Sequence, residues 1–243
     1  MSSKVALVFG GARGIGAAIA VRLARDGFDI ALTYVSRPDS AAEIVAAIEN
    51  AGRKAVAIKA DSADPAAIRA AVAETVSRLG VLDAVVVNAG ILRLGPVEQF
   101  SLEDLDLILD VNIRGVFLAI QAAAGQMRDG GRIITIGSNT AIRTGTPGGS
   151  VYAMTKAAVA SLVRGVALDL APRRITVNNV QPGPIDTDLN PAAGDWAVPQ
   201  KAATALDRYG RAEEVAALVA FVAGPESSYI TGSNLTVDGG MNA

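Results

Sequence analysis

The chain has 243 residues, 51% of them hydrophobic and 19% charged, with a formal net charge of −2. That length supports one domain with a full core, and the charge balance favours neither nucleic acid nor an anionic membrane as partner. There is no Cys and no His, which excludes disulfides, thiolate nucleophiles, Cys/His zinc sites and every Ser–His or Cys–His catalytic pair, and leaves the chemistry to Ser, Tyr, Lys, Asp, Glu, Asn, main-chain groups or a bound cofactor.

Apolar runs and amphipathic stretches alternate along the chain. Val5–Phe9 reads as a short buried strand ending in glycines, and Ile15, Ile19 and Leu23 recur every four residues as a helix does. Phe28–Tyr34 is a second strand, followed by a helix carrying Ile44 and Ile48 that stops at Gly52. Val56–Ala60 is a third. Asp64-Pro65 supplies an N-cap and a first-turn proline, with Ile68, Val72, Val76 and Leu79 as the apolar face behind them. Ala84–Val87 is the fourth strand and ends in Asn88-Ala89-Gly90. Two helical segments follow, about 102–111 and 113–127, then a strand at Arg132–Ile136, a long helix over 150–170 and a strand at Ile175–Val180. The stretch 181–209 is punctuated by Pro and Gly and reads as loop. A helix at 212–222 and a strand at Asn234–Val237 close the series.

Seven continuous Val/Ile/Leu runs separated by helices predict a doubly wound α/β domain spanning 1–243, with a seven-stranded parallel sheet covered by helices on both faces. Val5–Phe9 is too short for a signal-peptide core, and the longest uncharged stretch, Gly115 to Met127, falls short of the roughly 18 residues that span a bilayer. The expectation is a cytoplasmic protein without a membrane segment.

The first strand opens into Gly10-Gly11-Ala12-Arg13-Gly14-Ile15-Gly16. Glycines at 10, 14 and 16 permit a tight turn and close approach to a pyrophosphate, and the helix N-terminus behind them attracts the anion. The spacing G-x-x-x-G-x-G differs from the usual dinucleotide fingerprint, and a plain glycine turn would also fit it. The second strand ends in Thr33-Tyr34-Val35-Ser36-Arg37, without the acid that commonly holds the ribose of NAD. Arg13 and Arg37, with no carboxylate at that strand end, suit a 2′-phosphate and hence NADP(H) over NAD.

Gly10-x-x-x-Gly14-x-Gly16, Asp61, Asn88-Ala89-Gly90, Asn112, Ser138, Tyr152-x-x-x-Lys156, Pro182-Gly183 and Val237-Asp238-Gly239-Gly240 occur in that order. The set resembles the short-chain dehydrogenase/reductase family over essentially the whole chain. It is similar to the 3-oxoacyl-carrier-protein reductases, and stretches such as 181–188 are more similar still to the cyclic-di-GMP-binding biofilm-dispersal branch. The resemblance implies catalysis by Ser138, Tyr152, Lys156 and Asn112. It implies cofactor contacts from Gly10, Arg13, Gly14, Ile15, Gly16, Ser36, Arg37, Asp61, Ser62, Asn88, Ala89, Gly90, Tyr152, Lys156, Pro182, Gly183, Ile185 and Thr187, and no metal. A homotetramer is implied as well.

The residues make chemical sense on their own terms. Tyr152 and Lys156 share a helix face. A phenol titrates at about 10 and serves poorly as an acid–base group at neutral pH unless a nearby ammonium lowers it. Ser138 follows the fifth strand, at the sheet edge where open α/β folds bind ligands. The expected reaction is NADPH-dependent reduction of a small-molecule carbonyl, reversible from the alcohol. Reduction of 3-oxoacyl thioesters and a regulatory role as a cyclic-di-GMP binder are the alternatives.

The pattern also departs from the family. Phe9 and Val87 stand where the family usually has Thr and Asn, which puts the rigidity of the glycine turn in question. The Ser138–Tyr152 spacing is one position longer than usual. Arg128, Arg132, Arg173 and Arg174 offer positive charge for an acyl carrier, but the Arg128-Asp129-Gly130-Gly131 turn departs from the carrier-docking pattern. Residues 189–209, with Trp196 among them, are expected to form a mobile lid over the substrate, because they follow the stretch that should touch nicotinamide.

Overall fold

A computed structural model describes residues 3–243. The elements are β1 (Lys4–Phe9), α1 (Gly14–Arg25), β2 (Phe28–Tyr34), α2 (Pro38–Asn50), β3 (Ala55–Lys59), α3 (Pro65–Leu79), β4 (Leu82–Val87), α4 (Leu102–Leu109), α5 (Gly115–Ala124), β5 (Met127–Ile136), α6 (Ser150–Leu170), β6 (Thr176–Pro182), β7 (Ile185–Asp186), α7 (Ala197–Ala202), β8 (Gly210–Arg211), α8 (Ala212–Ala223) and β9 (Asn234–Val237). Seven strands form one sheet in the order β3-β2-β1-β4-β5-β6-β9, and each neighbouring pair is parallel. The chain winds outward from β1 to β3, returns to β4 and winds the other way. The reversal between β1 and β4 opens a crevice at their carboxyl ends, where sheets of this kind place their ligands.

The strand runs are uninterrupted because both faces are covered. In β1, Val5, Leu7 and Phe9 face a core built with Ile68, Ile120 and Val163 from α3, α5 and α6. Ala6 and Val8 face the other layer, with Ile19, Leu23 and Val219 from α1 and α8. Each large side chain buried this way contributes about 1.5–3 kcal/mol. β6 is the exception, with Asn178, Asn179 and Gln181 fully buried. Asn179 accepts from the Thr135 hydroxyl at 2.8 Å and donates to Asn234 at 2.8 Å. Asn178 donates to the Ile230 carbonyl at 2.8 Å. Side-chain amides therefore hold the edge strand β9 in addition to the main-chain ladder.

All seven expected strands are present. β5 starts earlier than expected, at Met127, because the helix before it ends at Ala124. Gly130 takes φ +79° within that early stretch, and the pairing with β4 shifts register between Leu82 and Ala84. The expected loop over 181–209 contains α7, and β7 pairs with β8 in a second small sheet. Two helical stretches, Leu102–Ala124 and Ser150–Arg173, are long and apolar enough in composition to cross a membrane; both contribute core residues to the layer over the sheet.

Candidate active site

A cleft of about 600 Å³ lies along the carboxyl ends of the strands. Of the catalytic and cofactor residues implied above, all line it but Gly16 and Asn112, which are buried just behind its surface. A Cβ on Gly16 would fall 2.1 Å from the Gly10 carbonyl oxygen, so only glycine lets α1 approach the turn. Gly10 and Gly14 take φ +71° and +52°. The absence of Thr at position 9 is offset from the next strand, where the Thr33 hydroxyl accepts from Gly10 N–H at 2.9 Å. Asn88 donates to the Gly10 carbonyl at 2.9 Å, and Ala89 N–H donates to Phe9 at 2.9 Å. The turn is thus braced on both sides, with its main chain open to the cleft. A cradle that a side chain would close, at the amino end of a twelve-residue helix, suits the pyrophosphate of a dinucleotide.

At the other end of the cleft, α4 and α5 are joined by a π turn over Asp110–Arg114. Such turns commonly reorient a functional residue. Here the turn carries Asn112, which is fully buried. Its side chain clamps Ile91, accepting from the N–H at 2.9 Å and donating to the carbonyl at 2.9 Å. It also donates to the Thr155 hydroxyl at 3.2 Å, and Thr155 in turn donates to the Tyr152 carbonyl at 2.7 Å. Asn112 therefore fixes the first turn of α6 to the loop after β4. A Cβ on Gly90 would lie 3.4 Å from Asn112 Oδ1 and 3.5 Å from Lys156 Nζ, so both side chains close in on that glycine.

Lys156 is buried and donates to the Ile136 carbonyl at 3.1 Å. Burial lowers its pKa to about 8. Its ammonium lies 5.6 Å from the centre of the Tyr152 ring. The lowered phenol expected from that neighbour is not found. Burial pushes Tyr152 above its usual value, and only the Ser138 hydroxyl works in the other direction. The lysine and the phenol are desolvated together, which lowers the one and raises the other. Ser138 Oγ accepts from Thr140 N–H at 3.2 Å and from the Thr140 hydroxyl at 2.9 Å, and its own hydrogen reaches Asn139 Oδ1 only at a long 3.5 Å, a contact weak enough to yield to a ligand in the cleft. Sequence reasoning missed Thr140 and Thr155 because an isolated Thr carries no motif.

It also missed Asp188. Arg13 and Arg37 were expected without a carboxylate, yet Asp188 Oδ2 pairs with Arg37 Nη1 at 2.9 Å and Arg13 Nη1 at 3.4 Å. A main-chain hydrogen bond at Asp188, followed by the two guanidiniums, holds this carboxyl below the usual range.

Residues 187–209 leave and rejoin the small β7–β8 sheet, and Leu189, Asn190, Trp196 and Gln200 overhang the cleft. The start of this segment lacks bulky apolar anchors, as its sequence indicates, but it is tied by polar ones. Asn190 and Gln200 exchange hydrogen bonds at 3.2 Å, and Ala192 N–H donates to Asp186 at 2.8 Å. Arg128, Arg132 and Arg173 gather at the opposite edge of the sheet, where Arg128 pairs with Asp83 and Arg173 with Asp129. They are not placed to dock a carrier at the mouth of this cleft.

A family model described as enoyl-(acyl carrier protein) reductase matches residues 10–242. The chain is 43% identical over 242 residues to the cyclic-di-GMP-binding biofilm dispersal mediator protein of Escherichia coli, covering 100% of this chain and 98% of that protein. Among solved structures, a short-chain dehydrogenase/reductase from Serratia marcescens is 53% identical with a TM-score of 0.98, covering 100% of this chain and 99% of that one. A short-chain dehydrogenase from Burkholderia cenocepacia, solved in complex with NADP, is 53% identical with a TM-score of 0.97, covering 99% and 98%.

Proposed function

The chain belongs to the short-chain dehydrogenase/reductase family, and from that premise we propose that it is an NADPH-dependent carbonyl reductase, running in reverse as an alcohol dehydrogenase. The observation that supports this most is the meeting of Ser138, Tyr152 and Lys156 at one end of a cleft whose other end is a braced glycine turn.

The glycine turn and the first turn of α1 would hold the pyrophosphate. Arg13, Ser36 and Arg37 would hold the 2′-phosphate, Asp61 and Ser62 the adenine, and Ile15, Asn88, Ala89 and Gly90 the floor beneath. Pro182, Gly183, Ile185 and Thr187 would wall the nicotinamide. When bound, NADPH supplies the hydride that the carbonyl carbon accepts. Tyr152 donates a proton to the carbonyl oxygen, and its raised pKa keeps the phenol protonated for that step. Ser138, oriented by Thr140, donates a hydrogen bond to the same oxygen. Lys156 is the nearest reservoir of positive charge and holds the ribose hydroxyls. Asn112 acts as a positioning residue, since its amide group is engaged by Ile91 and Thr155. Residues 189–209 form the substrate lid that excludes water, with Trp196 as an apolar wall.

Half or more of the surface of Leu102 and Leu168, and nearly half of Phe117 and Met154, is exposed on α4, α5 and α6. Those faces and the C-terminal strand support a homotetramer; a stable monomer in sedimentation at micromolar concentration contradicts it. The relation to the Escherichia coli mediator protein favours cyclic-di-GMP as a second ligand. NADPH oxidation over a panel of ketones and 3-oxoacyl thioesters, with cyclic-di-GMP titrated in parallel, separates these readings. Turnover of a ketone supports the reductase. Tight cyclic-di-GMP binding with no turnover of any carbonyl overturns it.

A further inference from the structure

We propose that Asp188 is an internal occupant of the 2′-phosphate cradle: its carboxylate holds Arg13 and Arg37 together, a cofactor's 2′-phosphate takes its place, and the exchange releases the loop that leads into the lid. The inference rests on the NADPH reading above and extends it to how phosphate recognition reaches the substrate end.

Both guanidiniums address the same oxygen, Asp188 Oδ2, at 2.9 and 3.4 Å. Two cations gathered on one atom repel each other unless an anion lies between them. A single carboxylate leaves that cluster with a net positive charge. A phosphate monoester, with about −1.5 to −2 charge and three acceptor oxygens, satisfies it more fully. The three side chains are about half exposed, and pairs of this kind hold weakly, so exchange is easy.

The position of Asp188 in the chain gives the exchange a consequence. Thr187, immediately before it, packs beside Gly14: a Cβ on that glycine would lie 3.4 Å from Thr187 Cγ2. Residues 187 and 188 therefore lie against the glycine turn and the arginines together. Thr187 is also bridged to Asn190, whose side chain pairs with Gln200 in α7 beyond Trp196. Moving Asp188 off the arginines displaces the root of that segment. The sequence contains an acid for the arginines after all, but on the strap that crosses the cofactor cleft and not at the end of β2.

The test uses the whole protein and two probes that carry no nicotinamide: adenosine 2′,5′-bisphosphate and adenosine 5′-monophosphate. Affinities are measured by calorimetry, and Trp196 emission reports the segment. Asp188→Asn is expected to tighten the bisphosphate about 3- to 10-fold and to leave the monophosphate within about twofold. The bisphosphate should shift Trp196 emission in the wild type and the monophosphate should not. Adding Asp188→Asn to Arg13→Ala/Arg37→Ala should change neither affinity. Unchanged or weakened bisphosphate binding in Asp188→Asn, with the arginine pair still selective for the bisphosphate, overturns the role of Asp188 and leaves the NADPH reading intact. A selective loss of monophosphate affinity overturns it too, since Asp188 would then serve a ribose hydroxyl. Equal wild-type binding of both probes, insensitive to the arginines, overturns the NADPH reading itself.

Discussion

The two ends of the cleft handle positive charge in opposite ways. At the substrate end, Lys156 is buried, its one hydrogen-bond partner among the described residues is a main-chain carbonyl, and burial lowers it to about 8. At the adenosine end, Arg13 and Arg37 are exposed and share a carboxylate. The first cation is tuned by its surroundings and cannot exchange partners without moving α6. The second pair is tuned by an exchangeable neighbour on a strap. A buried, uncompensated lysine suits proton chemistry, whereas exposed and loosely paired arginines suit capture and release of an anion.

The contrast can be broken at either end. Lys156→Ala should lose about 10²–10⁴ in reduction rate and also weaken NADPH binding, because the proposed mechanism gives one side chain both tasks; steady-state kinetics with direct binding measurements check this. The cationic fraction of Lys156 falls as pH rises through about 8, so a step that needs the ammonium should slow above that pH. Stability should move the other way. Between about 8 and 10.5 the unfolded chain binds more protons than the folded one at this lysine, so the wild type should gain stability with rising pH relative to Lys156→Met in denaturant titrations.

Asn112→Ala leaves the Ile91 main chain and Thr155 without their partner and should cost about 2–4 kcal/mol of stability, read as a fall in denaturant midpoint. Arg13→Ala/Arg37→Ala should weaken NADPH about 10- to 100-fold and leave NADH nearly unchanged. Equal losses for both cofactors would remove the distinction between the two ends.

Much of this arrangement is legible in the sequence because it depends on short-range patterns. Continuous apolar runs mark strands buried on both faces, and Tyr152 with Lys156 needs only the pitch of a helix. The break between the segments 102–111 and 113–127 falls at the π turn that carries Asn112. The end of α5 was harder, since Met127 is apolar and fits a helix or a strand equally well. The region 181–209 offers no periodicity because its elements are a six-residue helix and two-residue strands. Contacts between distant residues left no local signal. Asp188 lies 151 positions from Arg37, and Thr33 braces Gly10 from 23 positions away. The raised phenol of Tyr152 likewise depends on how deeply the folded chain buries it, not on its spacing from Lys156.

In the proposed reaction Tyr152 donates the proton to a carbonyl held in this cleft. Tyr152→Phe removes that proton alone, and NADPH affinity and ketone reduction can be measured on the same preparation. Reduction should fall by about 10²–10⁴ with NADPH affinity essentially retained. Near-normal turnover by Tyr152→Phe would contradict that role and place the acid elsewhere.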